Sequence, residues 1–149
     1  MEDYTRLREL AEEVKTAFQL NYDADSVKYI EGFIERQKGG LEESKLPGLI
    51  NSLGSFLGQC IITNYGGHWE RDELTQAFAV VWDNQNKVFP IAKTAEQFEN
   101  GLVDSVSSFF EVIPLAFKTI PGGQGKTLPE TDRKKTNRMK QREPKRRKK

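Results

Sequence analysis

Among its 149 residues this chain has a single cysteine, Cys60, and a single histidine, His68. One thiol excludes an intramolecular disulfide, and with it a small secreted fold stapled by bridges. Nor can one Cys and one His make up a zinc site, which takes three or four Cys, His or carboxylate ligands. No run approaches the roughly 20 apolar residues of a membrane-spanning helix. The opening Met-Glu-Asp-Tyr-Thr-Arg has no apolar stretch behind it and does not read as a secretory signal. These absences lead to the expectation of a cytoplasmic protein with no membrane span, no metal and no cofactor.

Hydrophobic residues are also scarce, at 36%, but the shortage is local. From Gln124 to Lys149 the only apolar side chains are Leu128 and Met139. Charge divides at the same place. Through Gly123 there are 11 Lys and Arg against 19 Asp and Glu, a net of −8; beyond it there are 12 against 3, a net of +9. With Pro121-Gly122-Gly123 at the junction, the sequence predicts a compact domain over 1–120 and a disordered basic tail over 121–149.

Within the domain, periodicity predicts the elements. Leu7, Leu10, Ala11, Val14, Ala17 and Phe18 form one helical stripe. Asn21 to Asp25 is a turn, and Val27, Ile30, Phe33 and Ile34 resume the pattern until Gly39-Gly40 stops it. The third stripe, Leu46 to Ile61, is the clearest, with Pro47 suited to a first helical turn. Its Gly54 and Gly58, four residues apart, predict close approach of a neighbouring backbone, since each costs on the order of 1 kcal/mol in helix propensity. Asn64-Tyr65-Gly66-Gly67 ends this helix.

Three strands are then expected: His68–Glu70, Ala77–Trp82 and Lys87–Ala92. The last two form a hairpin across the four-residue cluster Asp83–Asn86, and Pro90 confines the third strand to an edge. Thr94 and Gln97 fit the capping box of one closing helix through Phe98, Leu102, Val106, Phe109, Phe110 and Ile113, ending near Pro114. The predicted fold class is α+β, with three N-terminal helices, a three-stranded antiparallel meander and one closing helix.

Little catalytic chemistry is legible. Gly122-Gly123-Gln124-Gly125-Lys126-Thr127 resembles the end of a phosphate-binding loop, but Ile120 stands where the first glycine belongs, and no strand or helix flanks it. Cys60 lies in the apolar stripe of the third helix and reads as a buried structural thiol. His68, between two glycines and Trp69, completes a turn or shuttles a proton. Asp72-Glu73 and Asp104 cannot be paired from sequence into the two-carboxylate set that glycosidic hydrolysis uses. Trp69, Phe78, Trp82 and Phe89 fit a sheet packed on helices better than an open binding face. A pocket at Gly66, Gly67, His68 and Trp69 is the candidate site within the domain.

The tail carries the strongest signal. Arg133, Lys134, Lys135, Arg138, Lys140, Arg142 and Lys145-Arg146-Arg147-Lys148-Lys149 are spaced by polar residues. Such a segment would bind polyanions, DNA or RNA, by counterion release, with steep salt dependence and without sequence preference; the alternative is a solvated tail that improves solubility or docks on its own acidic body. It has no aromatic residue to stack on bases. In a nucleated cell Pro144 to Lys149 would also read as an import signal.

Two segments carry a resemblance. Tyr22-Asp23-Ala24-Asp25-Ser26-Val27 runs into Ile30-Glu31-Gly32-Phe33-Ile34-Glu35-Arg36, and Leu53-Gly54-Ser55-Phe56-Leu57-Gly58-Gln59-Cys60-Ile61 is followed by Asn64-Tyr65-Gly66-Gly67-His68-Trp69. Over residues 5–115 the chain resembles an uncharacterised bacterial domain family of unknown function, with an LG…LGE-I…N-GG-W pattern and a strand hairpin containing Pro. It departs from that pattern at Gln59, where an acidic residue is usual. The resemblance implies a compact α+β fold in a bacterial cytoplasm and no mechanism. Three readings of function follow. The first is a non-enzymatic binding domain whose polybasic tail contacts a polyanion. The others are an immunity-type protein whose acidic body neutralises a basic protein partner, and a hydrolase or transferase using His68.

Overall fold

The computed structural model describes residues 4–116, so the basic segment and its expected disorder lie outside the described residues. Its elements are α1 (Thr5–Phe18), α2 (Ala24–Gln37), α3 (Leu46–Tyr65), β1 (His68–Arg71), β2 (Phe78–Asp83), β3 (Asn86–Val88), α4 (Pro90–Asn100) and α5 (Val106–Ala116). Short 3-10 turns at Glu43–Lys45 and Gly101–Asp104 precede α3 and α5. The α+β class expected from sequence is the one observed.

α3 is the axis of the core. Its 20 residues span about 30 Å, and α1 and α4 make the most extensive helix contacts with it. Leu53, Phe56, Leu57 and Ile61 are fully buried, each worth roughly 1.5–3 kcal/mol relative to exposure. α1 contributes the expected stripe Leu7, Ala11 and Val14. α2 starts at Asp23, whose carboxylate accepts the Ser26 N–H at 2.9 Å. This is a side-chain cap worth about 1 kcal/mol.

The two glycines of α3 are sites of close approach. A Cβ on Gly54 would lie 2.5 Å from the Ile91 Cα, so the backbone of α4 passes directly over it, as the spacing predicts. At Gly58 the neighbour is a side chain: a Cβ there would lie 2.2 Å from the Trp69 ring.

The sheet has order β1-β2-β3, antiparallel throughout. Trp69 pairs with Val80 and Val80 with Val88, which places these three on the core face, all buried. A register shift between Val81 and Asp83 interrupts β2 at Trp82. The indole of Trp82 donates to the Tyr65 carbonyl at 2.9 Å.

Several expectations need correction. The β2–β3 connection is a two-residue turn, because Asp83 pairs with Asn86 and accepts both the Gln85 and Asn86 N–H groups. The third strand ends at Val88. Pro90 opens α4 instead of continuing an edge strand, because its missing N–H costs nothing in a first helical turn. Thr94 and Gln97 therefore lie inside a helix and cannot cap one; the Thr94 hydroxyl donates to the Pro90 carbonyl at 2.9 Å.

The single closing helix is two, divided at Gly101, whose φ of +80° is left-handed. Ser105 restarts the chain as α5, its hydroxyl accepting the Ser108 N–H. Finally, Glu43–Tyr65 is long and apolar enough, by composition alone, to cross a membrane, which the sequence reading did not expect. Its apolar side chains pack against α1, α4 and the sheet, so it serves as the core helix.

Candidate functional site

The Gly66–Trp69 turn reverses the chain after α3, with φ of +84° and +93° at the two glycines. A Cβ on Gly67 would sit 2.9 Å from Val80 Cγ1 and 3.1 Å from the Trp82 ring, so the turn lies flat on β2. Successive strand residues point to opposite faces, and this divides the predicted pocket. Trp69 is buried beneath Gly58, its indole donating to Gln59 Oε1 at 3.0 Å. His68 stands in solvent, 61% exposed, with Nε2 2.7 Å from Glu70 Oε2. A carboxylate can orient an imidazole, but catalysis would also need a nucleophile or a substrate cleft beside it.

Cys60 is no such nucleophile: it is fully buried. Burial first, and the nearby Asp23 carboxylate second, push its thiol up, opposite to an activated cysteine. Among the described residues no group of three or more His, Cys, Asp or Glu could hold a metal ion.

Two of the carboxylates that sequence could not pair, Asp72 and Asp104, are each paired with a lysine. Asp72 meets Lys87 Nζ at 2.6 Å and accepts both the N–H and the hydroxyl of Thr75 at 2.9 Å. The lysine hydrogen bond, then those from Thr75, hold its carboxyl down at about 2. Asp104 meets Lys93 Nζ at 3.2 Å and accepts the Asn100 amide at 2.7 Å. Lys87 and Lys93 line a groove of about 430 Å³ between β3, α4 and α5, floored by Val88, Phe89, Ala92 and Phe109.

Beside this groove lies a polar corner that sequence reasoning missed. Gln97 is fully buried yet forms three hydrogen bonds. Its amide donates to the Glu31 carbonyl at 3.1 Å and Glu35 Oε2 at 2.9 Å, while its oxygen accepts the Val106 N–H at 2.9 Å. The Ser105 hydroxyl donates to Glu31 Oε2. Together these bonds tie α4, α2 and the start of α5. Gly101 and a Ser N-cap signature at 105 were the only local signals available.

Two further grooves flank the 38–45 connection and share Leu41. One, about 440 Å³, lies between the C-terminal turns of α2 and α4 and the first turn of α3, with an apolar floor of Leu41, Leu46, Ile50, Ala95 and Phe98. The other, about 740 Å³, lies between α1 and α3 and includes Arg6, Lys45 and Glu13. The tail candidates Arg133, Lys134, Lys135 and Lys145 to Lys149 fall outside the described residues. No protein-family description, no curated protein and no solved structure matches this chain.

Proposed function

We propose that this protein is a non-enzymatic interaction module, an acidic globule carrying a polybasic arm that contacts a polyanion such as DNA or RNA. The observation that carries the reading is the division of charge. Residues 4–116 hold 17 Asp and Glu against 10 Lys and Arg, while residues 124–149 are +9. The candidate groups for chemistry support it. Cys60 is sealed in the core, the His68–Glu70 pair stands in open solvent, and Asp72 and Asp104 are spent on lysines.

A salt titration of full-length protein on duplex DNA of arbitrary sequence tests this. Each phosphate neutralised contributes about −0.9 to the slope of log affinity against log salt, so replacing the five cations Lys145 to Lys149 by serine should flatten it by up to about 4.5 units. Equal, weak binding by both proteins at low salt would overturn the reading. It would favour a protein partner for the acidic globule, as in the immunity-type alternative.

A further inference from the structure

The three grooves differ in how they meet charge. Around the β3–α4–α5 groove stand Lys87 and Lys93, already paired with Asp72 and Asp104, and Glu96, which lies 3.5 Å from Lys93. The α1–α3 groove carries Arg6 and Lys45 against one carboxylate. In the α2–α3–α4 groove the one cation, Lys38, lies 3.5 Å from Glu35, which neutralises it. The two carboxylates there, Glu43 and Glu99, are exposed and form no ion pair among the described residues. The carbonyl ends of α2 and α4 add partial negative charge at the same place, partly offset by the N-terminus of α3. An apolar floor with acidic rims suits one kind of guest: an apolar side chain flanked by cations.

This chain holds such a segment. Of the two apolar residues beyond Gly123, Leu128 is flanked by Thr127 and Pro129, whereas Met139 stands between Arg138 and Lys140. Met is unbranched and fills irregular apolar surfaces. The 23 residues from Ala116 to Met139 reach at most about 80 Å. Ser105 lies beside Glu31, while Phe110 packs on Tyr65 next to Asn64, which bonds the Tyr22 carbonyl just ahead of α2. α5 thus runs back towards the start of α2, and the chain must return about 20 Å, the length of α2. Tethering raises the local concentration of the segment at the groove.

We propose that the groove between α2, α3 and α4 is the docking site of this chain's own Arg138-Met139-Lys140. Met139 enters between Leu41, Ile50 and Phe98, and the two cations lie against Glu43 and Glu99. The arm that meets a polyanion is thereby held on the globule when none is present. The contact is internal to the chain and does not depend on nucleic acid binding.

The test uses full-length, isotope-labelled protein carrying Thr136→Cys with a nitroxide spin label. Cys60 is buried and its thiol pushed up, so the label goes to position 136. Amide signals of Leu41, Ala95 and Phe98 should lose intensity, while those of Trp69 and Val81 should not. Salt near 1 M, where the screening length falls to about 3 Å, should restore them, as should Met139→Ala or Glu43→Lys in the same chain. Three outcomes would overturn the proposal. These are uniform or absent broadening, broadening unchanged by either substitution, and broadening only when labelled chains are mixed with unlabelled isotope-enriched ones, which would mean a second copy. No nucleic acid is in the sample, so failure here and failure of the salt titration are separate results.

Discussion

Along α3, Gly54 and Gly58 let Ile91 and Trp69 occupy the space a methyl group would otherwise fill. At the corner between α4 and α5, Gln97 and Ser105 fill the space against α2 with hydrogen-bonded polar groups, and Asp104 bonds back to α4. Both contacts anchor α4, one at its first turn and one at its last. The first relies on shape and tolerates no added atom. The second relies on satisfied donors and acceptors, so it tolerates a change of shape better than the loss of a partner.

The largest effect is expected on the shape side. Gly54→Ala puts a methyl group 2.5 Å from backbone, which cannot rotate away. It should cost about 3 kcal/mol or more in urea unfolding. Gly58→Ala meets an indole ring and should cost slightly less, about 2–3 kcal/mol. An unchanged midpoint for either variant would mean that α3 does not sit this close to α4 and β1.

Next comes the polar side. Gln97→Leu keeps the bulk but strands the Val106 N–H, which begins α5 and has no helical acceptor, and removes the amide donor to Glu35. A loss of about 2 kcal/mol is expected, together with faster hydrogen exchange at Val106. If exchange there is unaffected, the corner is held by packing alone.

A smaller effect of opposite sign is expected at Ser55, whose buried hydroxyl has no hydrogen-bond partner among the described residues. Ser55→Ala removes that unmet group and should raise stability by about 1 kcal/mol. A drop in thermal midpoint would show that the hydroxyl is satisfied.

The last effect appears only in acid. Asp72 titrates lower in the folded chain, at about 2, than its ordinary value of 3.8. Its contacts with Lys87 and Thr75 therefore contribute fully above pH 4, and the contribution is lost as pH falls through about 2. Asp72→Asn should remove this part of the acid dependence. An identical acid unfolding profile in the variant would place the lost protons elsewhere.

Much of the α3 side was legible in the residues. The i, i+3, i+4 recurrence from Leu46 to Ile61 shows a buried helix, and two glycines four apart in it show where a neighbour comes close. The identity of the neighbour at Gly58 was not legible, because Trp69 arrives from a strand placed by the intervening turn. The polar side was almost silent. A Gln three residues after a Thr has the spacing of a capping box, and only the partners on α2, more than 60 residues away in sequence, show that it is a buried crosslink. The candidate site divided in the same way. The charge asymmetry is visible in composition, whereas the grooves exist only where elements distant in the chain converge.

By itself the sequence determined the α+β class, the three N-terminal helices, the meander, and the separation of an acidic part from a basic one. These follow from the 3.6- and 2-residue periods and from counted charge, both of which act locally. Tertiary structure decided that Pro90 starts a helix packed over Gly54, that the closing helix parts at Gly101 beside Lys38, and that Trp69 fills the space above Gly58. Each of those outcomes rests on contacts between residues distant in the chain, whose free energies no local pattern contains.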